Sequence, residues 1–274
     1  VTIYYRSYAD AVLFEAVIET MEKDLLSAPE VLVGEWQAIV DESHPAAKTW
    51  EIRNALFEMP IPYNIDLLQD YVNPNLPWAE DHFQERVGGK PLNPPPSEAW
   101  WPYARRGNTE FKNGEKFSHT YPERMWPKTA GENNYEVMSG IRYPYGDLGT
   151  LLATLVTRPG TRQAYLPIWF PEDGYAVSMG ARVPCSIGYH FLIRGNQLHC
   201  TYTMRSCDLI RHFRDDVYMA ARLTQWLAVE LEIIPGELTM LMSSLHIFAP
   251  DRIMLAKKYP HIVAGGVPHA TFED

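Results

Sequence analysis

Cys185 follows Pro184 and precedes an alternating apolar run, the setting of a thiol at the start of a strand and the mouth of a cleft. The thiolate is the reactive form, and neighbouring guanidinium groups favour it. Further along the same stretch, Arg205-Ser206 offers a planar cation and a hydroxyl, a pair suited to a phosphate. Asp208 follows at once, and Asp216 stands within Phe213-Arg214-Asp215-Asp216. Arg162 is a second candidate cation, and His246 is a residue type that hydrogen-bonds sugar hydroxyls. Read singly, each has a plainer explanation. A lone cysteine is most often apolar filler, which is how Cys200 and Cys207 are read. Arg205 alone reads as a surface partner of Asp208, and His246 as a structural histidine. A zinc site from Cys185, His190, His199, Cys200 and Cys207 matches no regular ligand spacing, so no metal is expected.

These residues need elements to position them. Ser7 with Asp10 reads as a helix start, and Ala9, Leu13, Val17, Met21 and Leu25 recur at four-residue spacing along one face. Strand-like stretches lie near 31–40 and 48–57. Residues 90–102 carry too many prolines for a regular element. Their tryptophans need packing partners, so 90–116 is expected to be an ordered insert or loop. A helix is expected near 134–156 and a strand over 162–170. Strands over 186–194 and 198–204 meet in a hairpin at Arg194-Gly195-Asn196, with Ile187, Tyr189, Phe191 and Ile193 along one face. A helix from Asp216 to about Ile234 turns Met219, Leu223, Trp226 and Leu227 inward, and Pro235-Gly236 stops it before a last strand near 237–248. The mixture predicts one α+β domain over 1–274, a mixed sheet flanked by helices.

The bulk composition narrows the function. The 274 residues are 46% hydrophobic and 21% charged, ample for a buried core. A net charge of −10 argues against broad nucleic-acid binding, though a few arginines in a cleft still suit an anionic small molecule. An odd count of 3 cysteines is no disulfide framework and suggests a reducing compartment. No apolar run reaches the roughly 18–20 residues of a membrane span. The opening Val1-Thr2-Ile3-Tyr4-Tyr5-Arg6 has no basic segment leading into an apolar one. The expectation is a soluble, cytoplasmic protein with no membrane partner.

Four elements stand together in order: Cys185-x4-His190-Phe191-Leu192-Ile193-Arg194, Met204-Arg205-Ser206-x-Asp208, Phe213-Arg214-x-Asp216 and Ser244-Leu245-His246-Ile247. They resemble the thymidylate synthase family, and within it most closely the bacteriophage deoxycytidylate hydroxymethylases. The resemblance is strong over about 160–250 and looser over 48–128. It implies a homodimer formed through the sheet, with active sites shared between subunits, acting on a pyrimidine nucleoside 5′-monophosphate with 5,10-methylenetetrahydrofolate as co-substrate. On this resemblance Cys185 is the nucleophile that adds to C6. Arg205 and Ser206 hold the 5′-phosphate, helped by Arg162 from across the dimer. Asp208 contacts the folate pterin and His246 the sugar. Trp78-Ala79-Glu80-Asp81-His82-Phe83 is similar to the segment with the catalytic glutamate, which points to Glu80, with Asp70 as the alternative. Phe117-Ser118-His119-Thr120-Tyr121 is similar to the segment with the active-site tyrosine, which points to Tyr121.

Asp216 separates the substrates. Thymidylate synthases carry asparagine there, whose amide matches uracil. A carboxyl reverses the pattern and matches cytosine, whose N3 accepts and whose 4-amino group donates. A mispaired buried polar edge costs about 1–3 kcal/mol, enough to choose the base. The implied reaction is C5 hydroxymethylation of a cytidine monophosphate, with dCMP placed ahead of CMP. The acidic ending, Pro268 through Asp274, replaces the apolar tail of the methylating enzymes and favours addition of water over hydride. Other departures are Gln163 for the second cross-dimer arginine, Ser43-His44-Pro45 without a phosphate-loop cation, Ser186 after the nucleophile, and Phe248 for a sugar-binding tyrosine. The alternatives are C5 methylation of dCMP or dUMP, and a non-catalytic nucleotide-binding homologue.

Overall fold

A computed structural model describes residues 2–8, 10–32, 47–103, 112–126, 146–179 and 182–264. In chain order the elements are β1 (Tyr4–Arg6), α1 (Ala11–Ser27), β2 (Glu30–Leu32), β3 (Lys48–Pro60), α2 (Ile65–Val72) and α3 (Trp78–Val87). A 3-10 turn over Pro96–Trp100 leads to the short pair β4 (Lys112–Asn113) and β5 (Lys116–Phe117), then α4 (Tyr121–Met125), α5 (Asp147–Thr157), β6 (Tyr165–Pro167) and α6 (Pro171–Ser178). The last part holds β7 (Ser186–Arg194), β8 (Gln197–Met204), β9 (Cys207–Asp208), α7 (Phe213–Glu230), β10 (Ile234–Phe248), α8 (Ala249–Lys258) and α9 (Pro260–Ala264).

The main sheet runs β1-β3-β10-β8-β7-β6, with β2 on β3 and β9 on β10. It is mixed: β10 is antiparallel to β3 and parallel to β8, with α7 as the crossover between the parallel pair. The fold class is the α+β mixed sheet with flanking helices read from the sequence. Alternation sorts the sheet into two faces. Leu238, Met240 and Met242 of β10 and Leu198, Cys200 and Tyr202 of β8 are buried in one cluster with Phe14, Phe57, Phe213 and Leu223. Phe213 of α7 meets Phe57 of β3 edge-on at 5.2 Å, and Phe14 of α1 meets the same ring at 5.9 Å. The alternate residues His190, Thr201, Thr203, Thr239, Leu241 and Leu56 on the other face are only half-buried.

Several elements differ from the sequence reading. Asp10 alone caps α1, accepting from the Leu13 amide at 3.0 Å. Its buried stripe is Phe14, Ile18, Met21 and Leu25, while Leu13 is 45% exposed. A strict four-residue row drifts around a helix of 3.6 residues per turn, and the true stripe mixes spacings of three and four. The helix expected up to Ile234 ends at Glu230, before a reversal at Glu232 (φ 54°). Pro235-Gly236 lies inside β10, at the register shift between Pro235 and Leu238, where a residue without an amide donor is tolerated. The strand expected over 162–170 shrinks to β6, and the helix expected near 134–156 is described only as α5. Residues 33–40, Ser43-His44-Pro45 and the acidic ending lie outside the described residues.

Candidate active site

Strand pairing brings Cys185 and Arg205 together. The β7–β8 ladder ends at Ser186 opposite Met204, and one further bond runs from the Arg205 amide to the Cys185 carbonyl at 2.9 Å. Arg205 then folds back over its neighbour. Its Nε donates to Pro184 O at 2.8 Å, and its Nη2 donates to Val183 O at 3.1 Å and lies 3.9 Å from Cys185 Sγ. Among the described residues, neither Arg205 Nη1 nor the Ser206 hydroxyl has a hydrogen-bond partner. Gly188 allows this corner: a Cβ there would lie 2.7 Å from the Leu166 carbonyl oxygen of β6.

Cys185 is partly accessible, whereas Cys200 and Cys207 are buried. Burial pushes the Cys185 thiol up; Arg205 and Arg182 oppose this, while Asp216 and Asp208 add to it. The resting thiol is therefore mainly protonated, with two cations at hand to favour the thiolate. Burial alone pushes Cys200 up to about 12, although a hydrogen bond with Thr224 opposes it, so the Cys200 thiol is inert filler.

The chain beyond β8 sets Asp208 and Asp216. Arg205-Ser206 interrupts pairing, and β9 resumes beside β10 with Cys207 opposite Leu245 and Asp208 opposite His246. Asp208 is buried and caps its own turn, accepting from the Ile210 and Arg211 amides at 3.0 and 3.1 Å and from Arg211 Nη1 at 3.0 Å. Arg211 is clamped in turn by Asp251 of α8 at 2.6 and 2.8 Å. Burial pushes the His246 imidazole down despite Asp208, so it is neutral, with Phe248 edge-on at 5.2 Å. Asp216 sits in the first turn of α7, with Cys207 Sγ 3.9 Å from its Oδ2. Burial raises its carboxyl to about 7; Arg86 opposes this, while Asp215 and Asp208 add to it. Cys185, Asp208 and Asp216 thus act on one another electrostatically from three separate elements.

A chain of hydroxyl groups adjoins them. Tyr121 OH lies 2.8 Å from Ser186 Oγ, and Ser186 Oγ in turn bonds the Tyr202 hydroxyl. Burial, with Cys185 and Asp216, pushes the Tyr121 phenol up to about 12 against the opposing field of Arg86. Ser186, the residue after Cys185, is therefore the link between tyrosines of α4 and β8.

The structure does not bring Glu80 into this group. Arg222 of α7 donates to both its oxygens at 2.9 and 2.8 Å, Tyr218 donates at 2.6 Å and Gln84 at 2.7 Å. Burial works against the Glu80 charge, but these donors outweigh it and hold the carboxyl below its usual range. Glu80 ties α3 to α7. Asp70 is exposed on α2. The side chain that α3 does send to the cluster is Arg86, centred 3.9 Å from the Tyr121 ring. The sequence carries a signal for it: Ala79, His82, Phe83 and Arg86 are the buried stripe of α3, at the i, i+3, i+4, i+7 spacing of an inward face.

The insert after residue 90 is ordered where it is described. Asn93 bonds the Phe117 backbone through both amide atoms at 2.9 Å and reaches Glu123 at 2.9 Å. Ser97 is buried against Glu85 and His82. Trp101 stacks on His212, the residue that opens α7, at 6.2 Å and 13°, and Tyr103 meets the same ring at 5.3 Å. An aromatic wall therefore stands beside Asp208, whose charge acts on Tyr103. Arg162 is exposed before β6, and its carbonyl oxygen lies 3.0 Å from His190 Nε2.

Among the described residues, no group of three or more His, Cys, Asp or Glu is placed to hold a metal ion, and no helix is long and apolar enough to cross a membrane. Comparison with known proteins places this arrangement. The family model described as thymidylate synthase matches residues 116–259, a stretch from before Tyr121 to beyond His246. A Methanosarcina acetivorans protein named "Putative thymidylate synthase" is 26% identical over 140 residues, 51% of this chain and 57% of the relative. Thymidylate synthases of Rhodopseudomonas palustris and Sphingopyxis alaskensis are 26% and 28% identical over 126 and 122 residues, covering 46% and 44% of this chain and 39% and 38% of theirs. The chain thus spans less than two thirds of the length of these relatives. With the family model covering more than half of it, including the corner that joins Cys185 to Arg205, the chain belongs to the thymidylate synthase family.

Proposed function

We propose that this protein is a folate-dependent cytidylate C5 hydroxymethylase, with dCMP ahead of CMP as substrate, built as one domain including the 90–116 insert. The observation that carries the reading is Asp216, a carboxyl raised to about 7, sharing an electrostatic neighbourhood with Cys185. Near neutral pH such a group either donates a proton to cytosine N3 or, ionised, pairs with an N3-protonated ring. Both states accept from the 4-amino group.

The Cys185 thiolate adds to C6, forming the S–C6 bond and moving the ring's electron pair to C5, which becomes nucleophilic. Arg205 and Arg182 stabilise the thiolate. 5,10-Methylenetetrahydrofolate, when bound, supplies a one-carbon unit at the oxidation level of formaldehyde; water completing that unit gives hydroxymethyl, and hydride gives methyl. The Tyr121–Ser186–Tyr202 hydroxyls are the groups that move protons beside the ring. The flat face of Trp101 over His212, next to buried Asp208, fits a pterin. Arg205 Nη1 and Ser206 meet the 5′-phosphate, and neutral His246 meets the sugar. Arg162 reaches the phosphate from a second copy in a homodimer joined through the half-buried sheet face.

The test is tritium release from C5-labelled dCMP and CMP with methylenetetrahydrofolate. Release, with a 5-hydroxymethyl product on chromatography, supports the reading. Oxidation of the folate to dihydrofolate marks methylation instead. No release by folded protein sinks both and leaves nucleotide binding alone.

A further inference from the structure

Arg86 is a buried cation without a counter-ion among the described residues. It is 6% exposed, at the C-terminal end of α3. Its Nε is buried with no hydrogen-bond partner. The backbone around it is fixed: its carbonyl oxygen accepts from Trp126 Nε1 at 2.7 Å, and its guanidinium lies over the Tyr121 ring at 3.9 Å. Removing a charge from water without pairing it is costly. A structural arginine would have found a carboxylate, as Arg222 finds Glu80 and Arg124 finds Asp173. Arg86 is instead held over Tyr121, where its field also falls on Asp216 and Tyr189.

We propose that Arg86 is a positioning residue for the pyrimidine edge, acting through Asp216. The inference rests on the proposed cytidylate chemistry. The groups around Asp216 are Asp215 on its own helix, Cys207 and Asp208 of β9, Tyr202 of β8, Tyr189 of β7, Cys185 before β7, Tyr121 of α4 and Arg86 of α3. Arg86 is the cation opposing burial there, while Asp215 and Asp208 push the other way. Asp215 is itself anchored by two bonds from Asn75, at 2.8 Å each, so it cannot turn aside. Arg86 thereby sets the pH at which the carboxyl that reads the base changes charge. It also leaves the Nε donor unfilled for a carbonyl oxygen of the bound base.

The test titrates the Asp216 carboxyl by 13C NMR in ligand-free protein, with Asp216→Asn assigning the resonance. Arg86→Met keeps the stem over Tyr121 and removes an unpaired buried charge, so it folds with stability at or above that of the wild type. The Asp216 midpoint is expected to rise by about one to three pH units in Arg86→Met and Arg86→Gln, and to return toward the wild-type value in Arg86→Lys. An unmoved midpoint in Arg86→Met overturns the proposal, as does a loss of stability without a shift, the mark of a merely structural arginine. Binding of dCMP and dUMP to wild-type protein is measured beside it. If neither binds, the cytidylate reading fails while the titration still decides the role of Arg86.

Discussion

Cys185 and Arg205 are joined through backbone and side chain at once: the Arg205 amide donates to the Cys185 carbonyl at 2.9 Å, and Nη2 lies 3.9 Å from Sγ. The strand ladder, not a flexible loop, therefore fixes the distance between cation and thiol.

That arrangement predicts selective thiol chemistry. Alkylation by iodoacetamide at pH 8 is expected at Cys185 ahead of Cys200 and Cys207, which are buried with thiols pushed far up. Arg205→Met removes a group that favours the thiolate and slows Cys185 alkylation by about tenfold, the effect of one pKa unit. Mass spectrometry of the alkylated peptides reads both. Equal labelling of the three cysteines would show that the corner is not what controls reactivity.

The Asp216 carboxyl makes stability depend on pH. Folded, it keeps its proton to about pH 7; unfolded, it loses it near the ordinary 3.8. Between those values the native state holds more protons than the unfolded state, so stability falls as pH rises through the window and levels off above it. Asp216→Asn cannot ionise. With allowance for the partial accessibility of the carboxyl, it is expected to be more stable than wild type by about 3 kcal/mol at pH 8 and little different near pH 4. Denaturant unfolding at the two pH values measures this, and an equal difference at both would exclude the ionisation as its source. The same variant shifts binding from dCMP toward dUMP.

Glu80 and Arg222 predict a stability effect rather than a chemical one. Their side chains are 25% and 7% exposed, and losing the carboxylate leaves a nearly buried guanidinium unpaired. Glu80→Ala is expected to cost about 2–3 kcal/mol. Glu80→Gln should cost less and retain tritium release from C5 in the folded protein. Loss of release by a Glu80→Gln protein of unchanged stability would return this glutamate to the base.

The contrast between Glu80 and Arg86 shows what the sequence made legible. Cys185, Arg205, Asp208 and Asp216 fall within one stretch of chain whose strands pair locally, so order and spacing alone placed them together. Residues from α3 join only through tertiary packing. Two charged side chains on that helix look alike in sequence, and the choice between them depends on which face meets α4. The buried stripe of α3 favours Arg86, and Glu80 lies off it. The same limit explains Pro235-Gly236: a helix stop and a strand bulge share one composition, and only the pairing of β10 with β8 separates them. Trp101 was legible as a ring that needed packing, but not as a partner of His212.

The half-buried face of the sheet carries the last prediction. Thr239, Leu241, Thr201 and Thr203 line it, and Arg162 stands exposed before its edge strand β6. If two copies meet through this face, each site takes Arg162 from its partner. Cys185→Ser and Arg162→Ala are then each inactive alone, for different reasons. Unfolded together and refolded, they should form mixed dimers in which one site has both residues intact, restoring about a quarter of wild-type tritium release under random pairing of a two-fold dimer. Leu241→Glu, which places a charge on that face, should give monomers by light scattering and abolish the rescue. Failure of the mixture to recover activity, with dimers present, would mean that Arg162 serves its own subunit or none.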